Sequence, residues 1–241
     1  MWNGPGSRED HAVSQDVLEA LSGPAERLAA ARSCAYGLFV GALAYPDALL
    51  LETVQSGELT QGLRNLLAEI DASLVDGGDW EALSDAGGED ELAVEYSRLF
   101  DVGTPAPPCP LYGGLYGGAR MKTMEEAVRF FNHFGLTLSE EQRELPDHLA
   151  TELEFLHYLS FREAEALQKQ ADPGAFRRAQ RDFIERHPGS WVPKLAGRLE
   201  QQQPMRFFTE LVGRLQQFLA HDQRYLTGLV GPAPKGSPSR S

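Results

Sequence analysis

The sequence predicts an all-α protein, a single-domain bundle of several packed helices. Three observations predict it. Apolar residues recur at three- and four-residue spacing through most of the 241 residues. No stretch shows the apolar–polar alternation of a half-buried strand. Hydrophobic residues make up 42% of the chain, enough for one core shared among helices. No internal repeat is present.

The elements follow in order. Residues 1–23 are polar and mixed, an N-terminal segment expected to be partly ordered, with a short helix around Val13–Leu21. Ser22-Gly23-Pro24 offers a cap and a proline at the first helical position. From there Leu28, Ala31, Ala35, Leu38, Phe39 and Ala42 form a core-facing stripe. That helix stops before Tyr45-Pro46, because a residue preceding proline avoids the α region. A second helix starts at Pro46. A third runs from about Thr60 to Leu74, until Asp76-Gly77-Gly78-Asp79 breaks it. A fourth spans Glu89 to Phe100, with Leu92, Tyr96 and Leu99 on one side. Residues 101–118 are dense in proline and glycine, which excludes a regular element. They also carry Leu111, Tyr112, Leu115 and Tyr116, which argues for an ordered loop packed on the domain. Thr123 and Glu126 have capping-box spacing for a helix through Phe134, with Gly135 as its C′ residue. Ser139 starts a short turn. A long helix runs from Pro146 to about Gln170 and ends at Asp172-Pro173-Gly174. Helices near 174–186, 191–201 and 205–227 complete the domain at residue 228. Residues 229–241, rich in Gly, Pro and Ser, form an expected disordered tail.

Charge and composition narrow the function. The formal net charge is -13, so a nucleic-acid partner, which requires basic surface, is excluded. An acidic surface favours a cationic partner. The first ten residues lack the basic and apolar regions of a secretory signal, and no segment approaches the ~20 apolar residues of a membrane span. Cys34 and Cys109 are far apart and form no metal knuckle. The expectation is a cytoplasmic, reduced protein without stable membrane insertion.

The chemical motifs are sparse. Gly113-Gly114-Leu115-Tyr116-Gly117-Gly118 precedes Lys122-Thr123, but three residues intervene where a P-loop has none, and no strand leads in. The glycines are better explained by a tight loop. Neither cysteine has a nucleophile's context, and there is no Gly-x-Ser-x-Gly elbow. Glu154-Phe155-Leu156-His157 has the Glu-x-x-His spacing of di-iron bundles, which need two such motifs; the sequence has one. His148 and Glu152 lie one turn apart. A helical metalloenzyme using His148, Glu152, Glu154 and His157 is therefore the competing reading. On a helix of about 100° per residue, Asp147, Thr151, Glu154, Tyr158 and Glu165 share one stripe while leucines lie opposite. A carboxylate there can accept a bidentate guanidinium. Asp147 in a first turn equally serves the helix dipole. The residues leave both readings open.

Leu145-Pro146-Asp147-His148-Leu149, followed by Glu152-Leu153-Glu154-Phe155-Leu156, resembles the Pro-x-Asp-His segment of the TorD/DmsD/NarJ family of molybdoenzyme maturation chaperones. The helix end at Tyr36–Pro46, Glu95-Tyr96-Ser97-Arg98-Leu99-Phe100 and the loop with Tyr112 and Tyr116 agree in order and spacing over most of 28–225. Proline directly precedes Asp147, where the common form inserts one residue. This version is nearer the NarJ-like branch and the chaperones of dimethylsulfide, ethylbenzene or selenate oxidoreductases. The resemblance implies a non-catalytic, all-helical chaperone. Its partner would be the catalytic subunit of a molybdenum oxidoreductase, bound through an N-terminal leader of twin-arginine type. It would assist cofactor insertion and delay export. Asp147, His148, Tyr112 and Tyr116 are the implied leader-binding residues, with Glu154 and Tyr158 on the same stripe of the long helix. No resident metal or cofactor is implied, beyond the weak GTP binding discussed for the family.

Overall fold

The computed structural model describes residues 23–88, 90–117, 119–138 and 144–233. The expectations for the segment up to Ser22, the turn at Ser139 and the tail beyond Ala233 lie outside the described residues. The architecture is an all-α bundle, and no strand occurs among the described residues.

Helix α1 spans Pro24–Ala42 with Pro24 at its first position. The Glu26 carboxylate reaches back to the Gly23 N–H at 3.3 Å. Helix α2 (Ala48–Gln55) begins two residues after Pro46, because the Asp47 side chain accepts from Leu50 N at 2.9 Å and makes Asp47 the cap. Helix α3 (Glu58–Ile70) ends four residues earlier than its apolar pattern suggests. Asp71 turns extended there and caps a 3-10 turn, Ala72–Val75, through Ser73 N at 2.8 Å. The pattern still buries Leu74, since one turn of tighter helix keeps it on the same face. Helix α4 (Glu91–Tyr96) widens into a π turn, Ser97–Asp101, in place of the single α-helix expected over 89–100.

Helix α5 (Arg120–His133) is N-capped at Ala119, not at Thr123. Thr123 lies one turn inside, its N–H already given to Ala119 O at 3.1 Å, so the expected capping box does not form. The other end matches expectation. Gly135 takes φ +71°, its N–H bonds Asn132 O, and Leu136 N bonds Phe131 O, both at 3.0 Å. Helices α6 (Leu149–Gln168), α7 (Gly174–Arg186), α8 (Pro188–Gln201) and α9 (Arg206–Val230) complete the chain.

Helices α1 and α6 form the principal pair; α3 packs on α1, α7 on α6, and α9 on α7 and α8. Tyr36, Phe39 and Phe218 join α1 to α9, while Phe131, Phe155 and Phe183 join α5, α6 and α7. Inside this core lies a polar clasp, fully buried except for Arg177 at its edge. The Arg32 guanidinium meets Asp222 at 2.5 Å and Glu163 at 2.8 Å, and Gln180 Oε1 at 2.5 Å. Tyr36 donates to Asp222 at 2.5 Å, and Arg177 to Glu163 at 2.7 Å. Two cations and two carboxylates close a neutral set linking α1, α6, α7 and α9. Burial pushes the Glu163 carboxyl up, but Arg32 and the hydrogen bonds from Arg177 and Gln180 outweigh it and hold it below its ordinary value.

Candidate functional site

The loop after α4 returns to the bundle instead of leaving it. Cys109 N bonds Leu99 O at 2.9 Å, and Leu111 is buried. Tyr112 then pairs with His148 in an isolated antiparallel bridge. Gly113 N donates to Asp147 O and Leu149 N to Leu111 O, both at 2.8 Å. A two-residue β contact thus brings the glycine-rich loop against the start of α6. A 3-10 turn at Gly113–Leu115 carries the chain over it.

The structure corrects the expected start of this helix. His148, not a residue at Pro146, is the N-cap: its backbone is extended (φ -74°, ψ 139°) and its Nδ1 accepts from Ala150 N at 3.2 Å. Asp147 therefore precedes the helix and does not sit in its first turn. Its carboxylate is diverted to the loop, where Oδ2 accepts from Gly114 N at 3.0 Å. Oδ1 has no hydrogen-bond partner among the described residues, although Asp147 is 0% exposed. That is an unusual state for a buried carboxylate.

Around this pair the site is acidic and aromatic. Tyr112 donates its hydroxyl to Glu144 at 2.8 Å, and burial with that hydrogen bond raises its phenol. The Tyr112 and His148 rings meet edge to face at 4.9 Å, and His148 Nε2 lies 3.6 Å from Glu144. Burial pulls the imidazole below its ordinary 6.5, against the opposing pull of Glu144, Asp147 and Asp101. Burial and Glu144 raise the Asp101 carboxyl. Arg120 lies 5.6 Å over the Tyr112 ring. Asp101 and Glu144 are exposed. Val102 and Leu145 expose apolar surface beside them, and Tyr45, in edge contact with Tyr96, exposes more. Tyr96 lies within electrostatic reach of Asp101, Glu144 and Tyr112.

The glycines of the loop are required by contact. A Cβ on Gly114 would stand 2.8 Å from Asp147 Oδ2 and 3.0 Å from the Arg120 backbone. A Cβ on Gly113 would stand 2.7 Å from Trp191 Nε1. No side chain fits at either position without moving its neighbours.

The other predicted residues are distributed around this centre. Tyr116 is buried, its ring stacked on Trp191 at 5.1 Å with Arg198 4.3 Å over it. Glu154 and Tyr158 are half-buried on α6, about 9 and 15 Å along its axis from His148 at ~1.5 Å per residue. The four residues of the metalloenzyme reading diverge. His148 faces Tyr112, Glu152 faces α8, and His157 Nδ1 lies 2.9 Å from Ser33 Oγ on α1. Among the described residues no group of three His, Cys, Asp or Glu side chains is arranged to hold a metal ion.

One cluster escaped the sequence reading. Glu152, 0% exposed, accepts from Trp191 Nε1 at 2.9 Å through Oε2, and its Oε1 lies 3.6 Å from His187 Nδ1. Glu152 Oε1 and both ring nitrogens of His187 lack hydrogen-bond partners among the described residues. Burial holds the Glu152 carboxyl above its ordinary value despite His187 and Trp191. The available signal was an acid standing in the apolar run Leu149, Leu153, Leu156 of α6.

A family model described as the nitrate reductase delta subunit matches residues 56–197. The chain is 39% identical over 136 residues to the selenate reductase assembly chaperone protein of Thauera selenatis, covering 53% of this chain and 70% of that protein. It is 30% identical over 235 residues to the perchlorate reductase assembly chaperone protein of Dechloromonas aromatica, covering 90% and 96%. It is 33% identical over 141 residues to the chaperone protein TorD of Vibrio parahaemolyticus, covering 57% and 65%.

Proposed function

The chain belongs to the nitrate reductase delta subunit family, the TorD/NarJ group of assembly chaperones, and on that premise we propose that it is a maturation chaperone that binds the N-terminal leader of a molybdenum oxidoreductase catalytic subunit. Its relatives are assembly chaperones and not catalysts, and this chain is a non-enzymatic member of the same group. The client of this chain is an oxidoreductase of the kind those relatives are named for. By holding the leader, the chaperone keeps the subunit open for molybdenum cofactor insertion and delays its export until assembly is complete. No helix among the described residues is long and apolar enough to cross a membrane.

One observation carries the leader reading. Exposed carboxylates, Asp101 and Glu144, each followed by an exposed apolar residue, Val102 and Leu145, flank the Tyr112–His148 bridge, with Glu144 joined to it through the Tyr112 hydroxyl. A leader with paired guanidiniums and an apolar run presents the complementary chemistry. Asp147 and His148 support this rim from below. Asp147 fixes the loop through Gly114, and His148 holds the Tyr112 ring and the helix start together.

Calorimetry tests this with a synthetic peptide carrying paired arginines followed by a leucine–alanine run. Binding is expected for the native chain and is expected to weaken at least about tenfold, ~1.4 kcal/mol, in Asp147→Asn/His148→Ala. A native chain that ignores the peptide, or a double variant that binds it equally well, would count against the leader reading.

A further inference from the structure

We propose that Glu152, Trp191 and His187 act as positioning residues for leader binding, setting from behind the course of the loop that carries Tyr112. The inference rests on the leader reading above and adds residues of α6 and α8 to the site.

The geometry is a relay of contacts. The Glu152 carboxylate fixes the Trp191 indole through Nε1 at 2.9 Å. Gly113 runs so close over that same Nε1 edge that a Cβ would stand 2.7 Å away. The next residue, Gly114, gives its N–H to Asp147. Adjacent glycines therefore rest on two buried carboxylates, one directly and one through an indole. On its far side the Trp191 ring stacks on Tyr116, and Lys194 holds the Tyr116 carbonyl at 3.1 Å. Turning the indole would shift Gly113 and with it Tyr112, whose hydroxyl and ring form the rim.

A purely structural role does not account for this cluster. Glu152 Oε1 and His187 Nδ1 stand 3.6 Å apart, too far for a good hydrogen bond, and His187 Nε2 is buried without a hydrogen-bond partner among the described residues, which costs the fold stability. Leucine and phenylalanine would fill the same space without that penalty. Partly satisfied buried polar groups beside a surface site fit positioning better than support.

The test uses the full chain and the paired-arginine peptide. The double variant Glu152→Leu/Trp191→Phe removes donor and acceptor together and keeps the ring on Tyr116. It is expected to fold with an unchanged or higher thermal midpoint, to bind the peptide about tenfold more weakly, and to lose exchange protection at the Gly113 and Gly114 amides. Glu152→Gln, which keeps an acceptor for the indole, is expected to bind within about twofold of the native chain. If the double variant fails to fold, Trp191→Phe alone carries the same expectation for exchange. Native protection at Gly113 and Gly114, or native peptide affinity, in Glu152→Leu/Trp191→Phe or in Trp191→Phe overturns the positioning role. A native chain that does not bind the peptide overturns the leader reading instead, and the exchange result still decides where the loop takes its position from.

Discussion

His148 shows how one side chain can serve three neighbours at once. Its Nδ1 accepts the Ala150 N–H, so the ring is neutral and its proton sits on Nε2, toward Glu144. Protonating Nδ1 would end the cap. Burial already favours the neutral form, while Asp101, Glu144 and Asp147 face the ring and oppose that preference. The folded value therefore lies below the ordinary 6.5, and the unfolded chain takes up the proton first. The contribution of His148 to stability is full above that ordinary value and is lost as pH falls through the folded one. Thermal melts from about pH 7 to about pH 5 should show a falling midpoint, and His148→Asn should flatten that slope. Asparagine keeps an acceptor suited to an N-cap and does not titrate, so at neutral pH the variant should stay within about 1 kcal/mol of the native chain. An unchanged slope would mean that the surrounding carboxylates dominate the acid limb.

At the scale of elements, the turn at Gly113–Leu115 is the least replaceable piece. Gly114→Ala would drive a methyl into Asp147 Oδ2 and the Arg120 backbone. Such overpacking is expected to cost about 1–3 kcal/mol in urea unfolding and to weaken peptide binding with it. A variant as stable as the native chain would show that the loop has room the contacts do not suggest. The sequence made most of the helices legible, because three-residue periodicity and Gly/Pro punctuation are local signals. Pro24 marked the start of α1, and Asp172-Pro173-Gly174 marked the break before α7. The starts of α5 and α6 were less legible. Thr123 has the residue type of a cap but lies inside a helix begun at Arg120, and Asp147 has the residue type of a first-turn acid but is drawn away by Gly114. Tyr112 and His148 were recognisable from a motif, yet their pairing was not. An isolated bridge has no periodicity to read. Glu152 and Arg32 are polar residues within apolar faces, and the partners that make them tolerable come from other helices.

Across the whole molecule, the net charge is -13, whereas the central clasp of Arg32, Arg177, Glu163 and Asp222 sums to neutrality. Such a set is sensitive to the loss of one member. Arg32→Ala leaves Asp222 and Glu163 facing each other without their shared cation and is expected to cost about 3–5 kcal/mol, read as a lowered urea midpoint. Loss of less than about 1 kcal/mol would mean that water enters and replaces the guanidinium. The bond from Gly114 to Asp147 spans 33 residues of chain. The rim exists only once that loop, which holds α5, has closed, and closing it draws on chain entropy before any contact returns it. On the leader reading proposed above, recognition would follow self-assembly. A nascent or misfolded copy would then lack the surface that detains a client, and failure of the helper would leave the client unclaimed instead of trapped.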